Sequence, residues 1–98
     1  MIRKQKNKGT NKVNVTFVLP EEVVDGKFSV GGDFNDWDPS ANRFVRRSNA
    51  TYSATVKLGP GETHEFRYYA DGDRWLDEDD ADAFKANVFG TQNCVVET

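Results

Sequence analysis

Apolar and polar residues alternate along much of this chain. Val13, Val15, Phe17 and Leu19 fall on one side of an extended segment, with Asn14, Thr16 and Val18 on the other, until Pro20 ends the pattern. A period of two marks a half-buried strand. Residues 27–30 repeat it weakly through Phe28 and Val30. Gly31-Gly32 then interrupts, and the turn-rich run Asp33-Phe34-Asn35-Asp36-Trp37-Asp38-Pro39 predicts a loop. Tyr52, Ala54, Val56 and Leu58 alternate with Thr51, Ser53, Thr55 and Lys57, and Gly59-Pro60-Gly61 turns the chain into a second arm over 64–70. This is the clearest hairpin. In that arm Phe66, Tyr68 and Ala70 share one face, leaving Glu65, Arg67 and Tyr69 for solvent or ligand. Asp71-Gly72 turns again, 74–76 can form a short strand, 77–82 is an acidic loop, 81–86 allows one helical turn at most, and 93–97 is the last strand. Short strands, frequent turns and almost no helical periodicity predict an all-β sandwich.

Composition fits that expectation. Ninety-eight residues hold one domain and no second core. Apolar residues make up only 37%, but 12% of the chain is aromatic, enough for a thin two-layer core. Cys94 is the single cysteine, so no internal disulfide forms; the N-terminus lacks the apolar run of a secretory signal, and no segment approaches membrane-spanning length. A cytoplasmic protein is expected, on which Asn14-Val15-Thr16 and Asn49-Ala50-Thr51 stay unglycosylated. Net charge is −3, yet residues 1–12 carry Arg3, Lys4, Lys6, Lys8 and Lys12 without an acid. We expect 1–12 to be a basic, flexible tail on an acidic body spanning 13–98, with neither a nucleic-acid nor a membrane surface.

Sugars are held by stacking their apolar ring faces on aromatics and by pairing hydroxyls with planar polar groups. Trp37 sits inside a polar turn and Trp75 follows another, where a core does not obviously claim either ring. On position alone, stacking platforms and tryptophans capping one end of the sandwich are equally good accounts.

Three segments add to this: Gly32-Asp33-Phe34-Asn35-Asp36-Trp37, then Glu65-Phe66-Arg67-Tyr68-Tyr69-Ala70-Asp71-Gly72 leading to Trp75, then Phe89-Gly90-Thr91-Gln92-Asn93 before a valine-rich strand. In this order they resemble carbohydrate-binding module family 48, which includes the glycogen-binding domain of the AMP-activated kinase β subunit and the early-set domains of isoamylases and branching enzymes. The resemblance covers roughly 13–97. It implies an immunoglobulin-like early-set sandwich of about seven to eight mostly antiparallel strands, and a non-catalytic site for α-1,4-linked glucan such as glycogen, starch or maltodextrin. The implied site residues are Trp37 and Trp75 for stacking, Arg67 as the basic residue, Phe89 reaching over the sugar, and Thr91 and Asn93 for hydroxyls. Arg74 looks like an inserted residue that re-aims Trp75, Phe89 replaces a smaller aliphatic, and Cys94 stands where the family often has a second Asn. The alternative is an early-set sandwich that docks a protein, such as a carbohydrate-active enzyme or kinase-like partner, without binding sugar.

Other chemistries are weaker. An enzyme needs a nucleophile or an acid/base pair in a cleft, and the lone His64, at a strand start, is expected to be solvated. Asp77, Glu78, Asp79, Asp80 and Asp82 crowd one loop without a defined separation across a scissile bond, and lack the glycine-centred spacing of a calcium loop. They read as a solvated loop. Cys94 reads as a buried thiol, and no cofactor is implied.

Overall fold

A computed structural model describes residues 1–98. Nine strands form two antiparallel sheets packed face to face. The first sheet contains β1 (Ile2–Asn7), β2 (Lys12–Pro20), β5 (Thr51–Leu58) and β4 (Val45–Arg46), in the order β1-β2-β5-β4. The second contains β3 (Phe28–Gly32), β6 (Thr63–Ala70), β9 (Gln92–Glu97) and β8 (Ala83–Ala86), in the order β3-β6-β9-β8, with β7 (Arg74–Leu76) pairing along β6. The only helical element is a 3-10 turn at Glu21–Val23, so no helix is long and apolar enough to cross a membrane.

The alternation seen in the sequence is the alternation of faces. Val13, Val15, Phe17 and Leu19 of β2 and Ala54, Val56 and Leu58 of β5 point inward from one sheet, against Phe28, Val30, Phe66, Tyr68, Ala70, Cys94 and Val96 from the other. Phe17 meets Phe66 with ring centroids 4.8 Å apart, and Phe44 closes on Tyr68 edge-on at 5.3 Å. Such aromatic pairs are worth about 0.5–1.5 kcal/mol each beyond the area they bury.

Four elements depart from the sequence expectation. Ile2–Asn7 are strand rather than flexible tail: Ile2 pairs with Phe17 on the core side, and Lys4, opposite Val15, reaches Asp82, in the loop just before β8, at 2.6 Å. Basic side chains that look like a solvated run instead put inward-pointing charge on an edge strand, which blocks further strand addition. Gly31-Gly32 does not interrupt β3 but completes it, pairing with Arg67 and Phe66. Residues 83–86 form an edge strand rather than a helical turn, because β9 offers a free ladder for them. The acidic loop is only partly solvated. Glu78 is 5% exposed and accepts the Tyr68 hydroxyl proton at 2.7 Å, the Asp80 N–H at 2.9 Å and the Met1 amino group at 2.7 Å. Burial alone would raise the Glu78 pKa, yet these donors hold it below the ordinary carboxylate value, while burial and Glu78 push the Tyr68 hydroxyl up.

Candidate functional site

The outer face of the second sheet carries a groove where β6 changes partner. β9 pairs with β6 from Thr63 to Phe66, and β7 pairs with it from Tyr68 to Ala70. Arg67 falls between the two ladders. The gap is an open cavity of about 1000 Å³ lined by Trp37, Glu65, Arg67, Trp75, Ala86, Asn87, Val88, Phe89, Thr91 and Asn93. All six residues singled out in the sequence therefore line one surface.

Trp37 is delivered by a loop that the Gly32–Trp37 motif wires to the sheet. Asp33 holds the Glu65 backbone twice: its N–H donates to the Glu65 carbonyl at 3.1 Å, and its carboxylate accepts the Glu65 N–H at 3.0 Å. Asn35 donates to the Val30 carbonyl and to Asn42 and accepts the Gly32 N–H, while the Trp37 N–H returns to the Gly32 carbonyl. This bracing matters because Asp36 (φ 57°) and Trp37 (φ 58°) both lie in the left-handed region. Non-glycine residues there cost roughly 1–2 kcal/mol each. Strain of this kind collects at functional positions and persists only where surrounding contacts over-determine it.

Trp75 lies on β7 opposite Tyr69, with ring centroids 4.9 Å apart, and its six-membered ring covers Gly31. A Cβ at Gly31 would stand 3.0 Å from Cζ3 and 3.1 Å from Cη2, so the missing side chain is what seats the ring. The Trp37 and Trp75 centroids are 6.1 Å apart with planes at 70°, making a corner rather than a flat platform. Arg74 points elsewhere: its guanidinium donates to the Asp71 carbonyl and to Asp25 at 3.0 Å. Arg74 follows a turn in which Gly72 (φ 86°) and Asp73 (φ 56°) are left-handed.

Around the aromatic corner stand the polar groups. Arg67 donates from Nε to Asp77 at 2.9 Å and from a terminal nitrogen to the Trp75 carbonyl at 3.3 Å, so its fork is fixed beside the ring. Asn93 donates to Glu65 at 3.1 Å, and Glu65 also meets Lys85 at 3.6 Å. Thr91 and Asn93 both bond Asn87, a residue the sequence reading passed over. Asn87 donates to Thr91 Oγ1 and Asn93 Oδ1 and accepts from the Phe89 and Thr91 N–H groups. It shapes the β8–β9 hairpin that holds Phe89 out at 86% and Val88 at 92% exposure. Nothing local distinguishes Asn87 from any turn asparagine; its role arises from where the hairpin lands.

His64, expected to be solvated, is clamped behind the Trp37 loop. Its two ring nitrogens lie 2.7 Å from Asp33 and 2.8 Å from Glu62. Ionised carboxylates only accept, so the ring can donate to both at once only as the doubly protonated imidazolium. Burial alone would lower its pKa; the two carboxylates outweigh it and hold it above the ordinary value. Cys94 is fully buried in the core between the sheets, and burial pushes its thiol up to about 11. No group of three or more His, Cys, Asp or Glu side chains converges as metal ligands would.

No protein-family model matches the chain. A stretch of 59 residues, 58% of the chain, is 32% identical to an amylopullulanase of Thermoanaerobacter thermohydrosulfuricus. The match spans 4% of that curated relative's length, so the likeness is to a small part of a much larger protein named as an amylopullulanase.

Proposed function

We propose that the groove binds an α-1,4-linked glucan, of the glycogen, starch or maltodextrin class, without acting on it. The observation that carries this reading is the Trp37–Trp75 corner: two half-exposed rings 6.1 Å apart at 70° to one another, edged by Arg67, Asn93 and Thr91. α-1,4 linkage curls a chain, so successive glucose faces turn away from one plane. Rings set at 70° follow such a chain better than a flat platform does. The amylopullulanase likeness supports the same ligand class. Glu65 is the single carboxylate among the lining residues, and it is engaged by Asn93 and Lys85, which supports binding over acid/base hydrolysis. A cytoplasmic setting belongs to this proposal.

An open groove with two stacking rings predicts dissociation constants of about 10 μM to 1 mM. Titration with maltoheptaose, followed by tryptophan fluorescence, tests it. Trp37→Ala and Trp75→Ala should each weaken binding about tenfold or more, about 1.4 kcal/mol, in folded protein. No response at millimolar sugar refutes the reading. It would favour the second one, docking of a partner enzyme through the exposed Val88-Phe89 tip.

A further inference from the structure

We infer that the glucan path does not end at Trp75 but crosses β6 and β3 into a second cleft, where Lys27, Arg43 and Asp71 hold further glucose units of the same chain. This rests on the glucan reading of the main groove.

The path is written in the sheet register. Trp75 pairs with Tyr69, Tyr69 with Ser29, and Ser29 with Arg43 through an isolated bridge. Directly paired residues project from the same face, so these four side chains form one row across the strands on the outer surface. Neighbouring strands lie about 4.8 Å apart, which places Arg43 about 14 Å from Trp75. Tyr69 continues the aromatic floor, held by the hydrogen bond from its hydroxyl to Asp73. Beyond it the floor drops. Ser29 is small, and its hydroxyl turns away to the Pro39 carbonyl at 2.7 Å, leaving a cleft of about 210 Å³ between Tyr69 and the Pro39-Ser40 segment.

The walls of that cleft have the mixture a sugar requires: an aromatic ring, two cationic donors and a carboxylate acceptor. The charged ends of Lys27 and Arg43 are exposed, and neither belongs to any ion pair of the fold, whereas Arg46, Arg67 and Arg74 are each committed to a carboxylate. Asp71 accepts the Lys27 backbone N–H at 2.9 Å through one oxygen. Its other oxygen is available. A carboxylate set among the cations disfavours a small anion and favours neutral hydroxyls, which take donors and acceptors together.

The test is chain length. Affinities of the intact protein for maltotetraose and for a ten-unit maltodextrin are measured by calorimetry for wild type, Lys27→Ala, Arg43→Ala and Trp37→Ala, with thermal melts to check folding. The expected result is that wild type binds the long chain at least threefold more tightly. Lys27→Ala and Arg43→Ala should erase that advantage while leaving maltotetraose unchanged, and Trp37→Ala should weaken both. An unchanged length advantage in Lys27→Ala and Arg43→Ala overturns the second cleft but leaves the main groove standing. Failure of wild type to bind either sugar overturns both.

Discussion

Gly31 offers the sharpest test of how the aromatic corner is made. An alanine there brings Cβ to 3.0 and 3.1 Å from the Trp75 ring, against about 3.5–4.0 Å for comfortable carbon contacts. The ring must therefore retreat by roughly half an ångström or more. It has room to do so only away from the sheet, since Tyr69 and Trp37 flank it. Overpacking of this size costs about 1–3 kcal/mol, offset by about 0.4–1 kcal/mol because alanine restricts the unfolded chain. The φ of Gly31 is not in the left-handed region, so no backbone penalty is added. We expect Gly31→Ala to lose about 0–2.6 kcal/mol of stability while weakening maltoheptaose binding several-fold. Gly32→Ala is the control. Its Cβ would stand 2.5 Å from the Glu65 carbonyl oxygen and 2.6 Å from the Phe34 ring, and the carbonyl belongs to a backbone that cannot step aside. That variant should lose about 3 kcal/mol or more. Urea denaturation monitored by fluorescence gives the stabilities, and sugar titration gives the affinities. A Gly31→Ala protein that binds maltoheptaose as wild type does, or is less stable than Gly32→Ala, refutes the seating of Trp75 on Gly31.

Three further outcomes follow from the hydrogen bonding. Asn87→Ala should weaken glucan binding about three- to tenfold by releasing Phe89, Thr91 and Asn93; Asn87→Asp keeps the acceptor and should fall between, as calorimetry will show. Because the His64 pKa is raised on folding, its contribution to stability is fully present below about pH 6.5, the unfolded value, and is lost as pH rises through the higher folded value. Glu62, whose pKa is lowered, contributes above its unfolded value and loses that contribution as pH falls through the folded one. Urea midpoints of wild type relative to His64→Gln should therefore converge on raising the pH from about 6 to 9; a pH-independent difference contradicts the clamp. Tyr68→Phe leaves buried Glu78 short of one donor and should cost about 1–3 kcal/mol in the same assay, with sugar affinity unchanged.

The alternation of Val13 to Leu19, of Tyr52 to Leu58 and of Phe66 to Ala70 was legible because a strand with one dry face has no other way to distribute its side chains. The six candidate residues were legible as types in an order. Their meeting in one groove depends on a register that sequence does not carry: Arg67 sits in the gap only because β7 takes up β6 from Tyr68 and β9 leaves it at Phe66. The same limit explains the N-terminus. Five basic residues look like a solvated tail until β2 presents a free edge and Asp82, in the loop before β8, a counter-charge. Gly31 and Gly32 look like a break because glycine usually ends strands, but here the demand for glycine comes from a tryptophan ring and a carbonyl far along the chain. Local chemistry determined which segments extend, which turn and which aromatic rings the core left unclaimed. The aim of those rings, the work of Asn87 and the clamp on His64 were decided by tertiary structure, since each is a contact between segments whose spacing along the chain says nothing about their distance in space.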